Sequence, residues 1–289
     1  MDEKFLSMQR LLTILSTPAG IIGATIVVIF LAVAILSPVI TPRPPQRQYP
    51  EIRLMPPGGT DAEGNVYWLG TDNLGRDMLS RIIYGTRVSA IVGISTVIVA
   101  CTLGMSVGLI AGYMGGKTDA VLMRIVDTFM AFPPLLLALS IAGVAGASGL
   151  GVIIVVLGIT RWVVFARVVR AEVLSLRGRE FVEAARALGQ SRIIIMFRHI
   201  LPNIIPSAIV LGTLSMADAI IAEASLSFLG VGVQPPAISW GQLLAVGRTY
   251  VATAWWLATF PGLAITIVVL GVMLIGDRLR DVLDPRMKQ

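Results

Sequence analysis

Long uncharged apolar runs alternate with short charged segments along this chain. The runs occupy residues 11–42, 88–116, 128–160 and 249–276, and a transmembrane helix needs about 20 apolar residues. The third run is too long for one span, and glycines at 143, 146, 149 and 151 interrupt it, so it predicts a hairpin of two helices. A further span at about 204–229 contains Asp218 and Glu223. The pattern therefore predicts six spans, the others lying at about 19–40, 88–111, 150–170 and 254–275, with the third opening near Arg124.

Composition supports a membrane protein. Hydrophobic residues make up 55% of the chain and charged residues 14%, whereas a typical soluble protein is about a quarter charged. The net charge of +6 does not indicate nucleic-acid binding, because Lys and Arg are not gathered on one soluble element. We expect an all-α polytopic protein of a bacterial plasma membrane, in contact with lipid.

The basic residues sort by side of the membrane, as the positive-inside tendency predicts. With both termini in the cytoplasm, the series Arg167 to Arg198 also lies inside; the loop 41–87 is an exception, but it is long and Asp and Glu residues partly offset its charge. Lys4 and Arg10 precede an apolar run longer than a signal-peptide core, so we interpret that run as an uncleaved anchor. Cys101 lies in an apolar span and indicates no disulfide.

One polar elbow stands out between apolar segments. Arg179 to Leu188 has the residues of a short helix, Gly189 suits a left-handed cap, and Ser191 can cap a second helix that Pro202 would end. The sequence predicts a helix-turn-helix between two spans. Such an elbow is either an ordinary amphipathic loop or a docking element.

The spacing of this elbow resembles the EAA loop of type-1 ABC importer permeases. The resemblance implies a cytoplasmic loop, within about 171–202, that docks in a cleft on an ATP-hydrolysing partner. His199 stands where that family usually has an apolar residue. The implied coupling residues are Glu183, Ala184, Ala185, Arg186, Gly189, His199, Leu201 and Pro202, with both alanines expected to permit close approach of the partner.

Three further segments resemble permeases of the dipeptide/oligopeptide (DppC/OppC) type. They are Trp68–Asp77, the Gly-Tyr-x-Gly-Gly run at 112–116, and Ala222–Gly230 with its following Gln-Pro-Pro and Ser-Trp-Gly. The resemblance implies the type-1 ABC importer fold and a pore subunit for peptides or similar small solutes. It also implies a second homologous permease subunit, two cytosolic subunits that bind ATP and Mg, and an exterior solute-binding protein. No cofactor, catalytic set or metal set is expected in this chain.

Two motifs invite other functions. Ala111–Thr118 matches a relaxed phosphate-loop pattern, but membrane-length runs flank it where a P-loop needs a buried strand, so we interpret it as a turn between spans. Asp72, Asn73 and Asp77 could form a calcium loop, yet the late Glu of an EF-hand is missing. A structured exterior collar is the favoured interpretation of 41–80.

Candidate pathway residues lie in the third and fifth spans. Pro133 and Pro134 should bend or break the third helix, which makes that span either a pathway wall or a kinked packing helix. Asp218 and Glu223 lie at membrane depth, where carboxylates usually face the bundle interior. Glu223 and Phe228 could lie near a gate, or Glu223 could only fix packing. Arg124 and Asp127 are spaced to pair, and Arg161, Trp162, Arg167 and Arg170 are expected to anchor the fourth span at the interface.

Two other functions remain as alternatives. A stand-alone ion-coupled carrier would use Asp218 and Glu223. An intramembrane hydrolase would need a base at membrane depth, but the chain's one histidine lies in the elbow.

The predicted spans and loops also divide the chain. We expect residues 1–86 to form an anchor helix and exterior loop. Residues 87–277 form the transmembrane domain, and 278–289 form a cytoplasmic tail.

Overall fold

The structure is a computed structural model that describes residues 17–145 and 149–283. Expectations for residues 1–16, 146–148 and 284–289, including the Lys4 and Arg10 flank, the hairpin turn at Gly146 and most of the tail, lie outside the described residues. The helices of the described part are α1 (Pro18–Ile40), α2 (Met78–Met114), α3 (Gly116–Met130), α4 (Pro134–Ala145), α5 (Leu150–Leu176), α6 (Glu180–Ala187), α7 (Arg192–Phe228), α8 (Trp240–Thr249) and α9 (Trp256–Leu283). A 3₁₀ turn covers Pro50–Ile52, and the one sheet in the described ranges is a hairpin of two-residue strands, β1 (Gly59–Thr60) and β2 (Val66–Tyr67), with Gly59 opposite Tyr67.

Five of these helices are long and apolar enough to cross a membrane, and α3 with α4 forms a sixth, broken span bent by 90°. The all-α fold with about six spans is thus confirmed. The predicted spans were too short at several ends: α2 begins ten residues before 88, and α7 begins twelve before 204. The added turns contain charged residues such as Arg81 and Arg198. Hydropathy excludes these turns from a span, although the helices continue through them.

The most extensive helix packing among the described residues joins α2 to α5. Gly104, Gly108 and Gly112 recur every fourth residue on α2, which places them on one face of the helix. A Cβ on Gly108 would lie 2.5 Å from the Ala166 carbonyl oxygen, and one on Gly104 would clash with the Trp162 carbonyl and Phe165. The absence of side chains therefore lets the two backbones approach directly, as at other small-residue interfaces in membranes.

Helices α1, α7, α8 and α9 pack around the other side of α2. Gly23 of α1 faces Leu274 of α9, while Gly271 of α9 faces Ile26 of α1. Buried Trp240 at the start of α8 packs against Phe30 with ring centroids 6.1 Å apart, and its indole N–H donates to the Ile82 carbonyl at 2.9 Å. These contacts hold α1 and α8 against the N-terminal end of α2.

Residues 41–77 form an ordered collar over one end of the bundle. Buried Asp72 accepts hydrogen bonds from the backbone N–H groups of Leu74 and Arg76 and from the Arg76 guanidinium at 2.7 Å. Asp77 caps α2 by accepting from the Ser80 amide at 2.8 Å. These carboxylates are committed to amides and guanidinium groups rather than grouped as in a calcium loop, which favours the collar interpretation. Trp256 ties the collar to α9 through the Thr71 carbonyl at 3.1 Å.

The turn between α2 and α3 agrees with the favoured interpretation of Ala111–Thr118. Helix α2 runs to Met114, Gly115 has a φ of 65°, and α3 begins at Gly116. A helix therefore stands where a phosphate loop would require a strand.

The predicted pairing of Asp127 with Arg124 was wrong. The Asp127 carboxylate pairs instead with Arg167 of α5 at 2.5 Å.

We expect Gly104→Ala to lower the thermal stability of the purified protein. The added methyl group has no space between α2 and α5, and overpacking of this kind costs about 1–3 kcal/mol. The melting temperature in detergent measures the effect. Gly151→Ala is the matched control, because a Cβ there meets none of the described atoms within 4 Å. Equal melting temperatures for the two variants would contradict the direct-approach interpretation.

Candidate functional site

The polar elbow consists of α6, a tight turn and the first turns of α7. Gly189 has a φ of 74°, which suits glycine in a left-handed cap. Its N–H donates to the Arg186 carbonyl at 3.0 Å, and the Gln190 N–H donates to the Ala185 carbonyl at 3.2 Å. This pair of bonds is a Schellman motif. The predicted stop at Gly189 is confirmed, and the elbow has a defined shape.

One face of α6 is buried within the chain. Val182 and Ala185, three residues apart, have 0% and 4% exposure. They pack in a cluster with Leu109 of α2, Val173 of α5 and Ile195 of α7. Ala185 thus fits the elbow to its own bundle, and of the two alanines expected to permit close approach of a partner, Ala184 is the exposed one. At this cluster the elbow packs against α2 and α5.

The opposite face of α6 is exposed. It presents Glu183, Ala184 and Arg186, followed by Leu188 with 80% of its surface accessible. On α7, Ile193 and Phe197 are 65% and 58% exposed. The sequence reading missed these three apolar side chains. The sequence did contain a signal for one of them. Leu188 is a large apolar residue directly before Gly189, in an otherwise polar segment.

Side-chain bonds brace the turn. Ser191 caps α7 by accepting from the Ile194 amide at 3.4 Å, and a ring nitrogen of His199 lies 2.8 Å from Gln190 Oε1. His199, half-buried, therefore ties the second arm of the elbow to the turn. The polar residue at a usually apolar position has a partner of its own.

Pro202 does not end the second arm. The helix continues from Arg192 to Phe228, with a π-helical turn at Ile195–Ile200 directly before Leu201 and Pro202. A π turn can absorb the bond that proline cannot donate, so the prediction of a helix stop there was wrong. Leu201 packs partly against the elbow cluster, and Pro202 is exposed.

The third span breaks at Pro133, as predicted. Helix α3 ends at Met130, Pro134 begins α4, and residues 131–136 are all exposed. Two ion pairs hold α3 to α5: Asp127 with Arg167, and Asp119 with Arg170. Trp162, on the same helix, is buried and packs edge-on against Phe129. Within the described ranges, the bend of this broken span is not covered by other residues.

Asp218 and Glu223 lie in different environments. The Asp218 side chain is 63% exposed and forms an ion pair with Arg161 of α5, from Oδ2 to Nη1 at 3.4 Å. The Glu223 side chain is fully buried, and its Oε1 accepts from the Ser227 hydroxyl at 2.7 Å. Ser227 Oγ in turn accepts from the Val233 amide at 3.1 Å. Glu223 thereby fixes the turn that follows α7. The structure does not bring the two carboxylates together.

Phe228 lies near that turn. Its ring is half-buried, with the Arg248 guanidinium 5.0 Å from the ring centroid. A polar cavity of about 380 Å³ opens beside it between the collar, the turn and α8, where Gln234 and Gln242 line it. The arrangement is a shallow polar recess at the collar end of the bundle.

A larger groove of about 510 Å³ runs between α2 and α7 and is lined almost wholly by apolar side chains. Across the described ranges, no group of three or more His, Cys, Asp or Glu side chains is placed to hold a metal ion.

Named relatives share this chain's sequence over most of its length. It is 42% identical over 269 residues to the dipeptide transport system permease protein DppC of Alkalihalophilus pseudofirmus, which covers 93% of this chain and 86% of the relative. It is 38% identical to the di/tripeptide permease DppC of Pseudomonas aeruginosa, with 92% and 88% covered. The glutathione permease GsiD of Pectobacterium atrosepticum is 43% identical over 79% of this chain and 75% of its own.

A solved structure shares the fold. An inward-facing MetNI methionine ABC transporter contains a chain that matches with a TM-score of 0.59 at 20% identity, over 71% of this chain and 97% of that one. Residues 104–289 match the model of a family described as the binding-protein-dependent transport system inner membrane component. The chain belongs to this family and is a multi-pass permease subunit of an ABC importer, rather than the catalytic subunit.

Proposed function

We propose that this chain forms half of the translocation pathway for peptides or similar small solutes. It takes up energy through the elbow formed by α6 and the start of α7. The observation that carries this proposal is the two-sided construction of α6. One side is buried against three helices of the bundle, while the other presents Glu183, Ala184, Arg186 and Leu188. The permeases for dipeptides, di- and tripeptides and glutathione named among its relatives support the substrate class.

The elbow suits coupling because a partner can reach it without disturbing the fold. Its exposed alanine permits close approach, its charged residues can pair across an interface, and Leu188 offers an apolar anchor. Displacement of α6 is passed to α5 and α7 through the cluster of Val182 and Ala185. Closure of ATP-binding partners would thus turn the spans between inward-facing and outward-facing arrangements.

Four kinds of partner follow from this proposal. A second homologous permease subunit completes the pore, two cytosolic subunits bind ATP and Mg, and an exterior solute-binding protein delivers the solute at the collar. Membrane lipid surrounds the rest. The open bend at Pro133 and Pro134 and the groove between α2 and α7 are surfaces that a second permease subunit can cover.

The assembly fixes an orientation and a division of the chain. Both termini and the elbow lie in the cytoplasm, as the positive-inside tendency favours, and the collar lies outside. Residues 1–86 then form the anchor helix and exterior collar, 87–277 the transmembrane domain with the coupling loop at about 171–202, and 278–289 the cytoplasmic tail.

Within the membrane, we assign Asp218 and the bend at Pro133 and Pro134 to the pathway wall. An exposed carboxylate in a span requires water or protein beside it. We assign Glu223 to packing, because it is buried and holds the turn after α7, and Phe228 to the gate region beside the polar recess. A stand-alone carrier that uses both carboxylates is disfavoured by their separation.

Leu188→Asp should uncouple the transporter without unfolding it. Leu188 is exposed in this chain, so its melting temperature should stay unchanged, but a carboxylate in the docked interface would be desolvated. We expect peptide uptake and co-purification of the ATP-binding subunits to fall at least tenfold, which corresponds to about 1.4 kcal/mol or more. Val251→Asp, at an exposed apolar position near the collar, should leave co-purification unchanged. Full retention of ATPase binding by Leu188→Asp would sink the docking proposal.

Gly189→Ala should weaken the elbow itself. A side chain in the left-handed conformation costs about 1–2 kcal/mol, so we expect lower ATP-driven uptake and a lower melting temperature. Gly178→Ala serves as the control, since Gly178 has no positive φ and a Cβ there meets no described atom within 4 Å. Identical behaviour of the two alanine variants in both assays would count against a rigid turn.

A further inference from the structure

The ion pair between Arg161 and Asp218 lies about three turns from one end of each of two membrane-length helices. Asp218 is ten residues from the end of α7 at Phe228, and Arg161 is eleven residues from the start of α5 at Leu150. At 1.5 Å per residue, both lie about 15–17 Å along their helices. Half of the hydrocarbon core is about 15 Å. Two helices therefore place opposite charges at the same mid-membrane depth.

The pair is open to the surroundings of the chain. Asp218 has 63% of its side-chain surface exposed, and Arg161 has 21%. A carboxylate exposed to hydrocarbon at this depth costs several kcal/mol. The Asp218 side chain must consequently face a water-filled path or another protein group.

The exposed strip of α5 has an arrangement that suits a pathway wall. Along its second half, Val164, Arg167 and Ala171 are exposed. At 100° per residue, Arg161 and Arg167 mark the two edges of a strip about 120° wide. Arg161 bonds to α7 at one edge, and Arg167 bonds to α3 at the other. The strip therefore lies exposed between α7 and α3, and an ion pair at each edge connects α5 to one of these helices.

The Asp218 carboxylate is weakly committed. Arg161 donates its better bond, at 2.9 Å, to the backbone carbonyl of Asp218, and the carboxylate receives the longer 3.4 Å contact on Oδ2. Asp119, by contrast, has both oxygens bound by the Arg170 guanidinium. Among the described residues, neither Asp218 Oδ1 nor the Arg161 Nε–H has a hydrogen-bond partner.

We propose that Arg161 and Asp218 bind the two charged ends of a short zwitterionic peptide during its passage. This inference rests on the proposed function. The peptide's α-ammonium contacts the free edge of Asp218, and its carboxylate contacts the free edge of the Arg161 guanidinium. Such charge-assisted bonds replace the water that the termini lose at mid-membrane depth.

Charge and size both favour this ligand. The pair has no net charge, so it complements a molecule that has one charge of each sign and no net charge. A dipeptide extends over about 7 Å. The outer edges of the pair are farther apart than the 3.4 Å contact, because the widths of the carboxylate and the guanidinium add to it. The two outer edges can therefore contact the two ends of one dipeptide. Arg161 remains tied to the α7 backbone through Nη2, which keeps the two charges side by side.

The test uses the complete transporter in nanodiscs without its solute-binding protein, so that the permease alone selects the ligand. The probes are L-alanyl-L-alanine, its N-acetyl derivative and its C-terminal amide, with binding measured by saturation-transfer nuclear magnetic resonance. We expect the wild type to bind the free dipeptide at least tenfold more tightly than either derivative. Asp218→Asn should abolish the preference over the N-acetyl form, and Arg161→Gln should abolish the preference over the amide.

Each variant is thus expected to lose the preference for one end of the peptide only. If the pair had a purely structural role, each variant would instead bind all three probes more weakly. Asp281→Asn, in the exposed Arg278–Asp281 pair of α9, is the control and should keep wild-type affinities. Wild-type selectivity in Asp218→Asn overturns the inference, as does dissociation of the second permease subunit in that variant, which would make the pair a subunit contact. ATP-driven peptide uptake with unaltered selectivity in both variants would leave the proposed function standing. A wild-type complex that transports no peptide would remove the proposed function as well.

Discussion

The direct backbone contact between α2 and α5 is the constraint on which the other functional features depend. Because Gly104, Gly108 and Gly112 have no side chains, α5 lies against α2 along one face and is fixed in rotation about its own axis. That rotation decides which side of α5 remains uncovered. It also brings Leu109 and Val173 together at one end, where they receive the elbow. Loss of this contact would displace both the elbow and the exposed strip of α5.

Ion pairs connect α5 to helices that the glycine contact with α2 does not reach. Arginines on α5 bind acidic residues of α3 on one side and of α7 on the other. Helix α3 has one fully buried apolar residue, Val126, so these ion pairs and the aromatic contact of Phe129 with Trp162 hold it in place. Partly exposed ion pairs contribute little each. A helix held in this way can change position at a lower cost than one locked by interdigitated side chains.

Much of the fold follows from sequence because the strongest signals are local. Apolar runs of membrane length identify the spans, Gly189 identifies the end of α6, and the prolines identify the break before α4. The misassigned features are those that depend on distant residues. Asp127 has a suitably spaced neighbour in Arg124 but binds Arg167, forty positions away. Pro202 is a helix breaker by type, yet a π turn lets the helix continue. The burial of Ala185 and the exposure of Leu188 depend on how α6 is rotated against α2 and α5, which spacing alone does not specify.

The same helix that meets the elbow also contains Arg161, the basic partner of Asp218 on α7. Val173 lies in the elbow cluster, and Arg161 lies twelve residues away on α5, about 18 Å along the axis. α5 is continuous from Leu150 to Leu176, so a movement applied at the elbow reaches Arg161 without an intervening joint. The break in the third span lies on the neighbouring helix, where bending can accommodate such a movement. The end of α5 that meets the elbow and the position of Arg161 are thereby joined by one continuous helix, and the broken span stands beside it rather than between them.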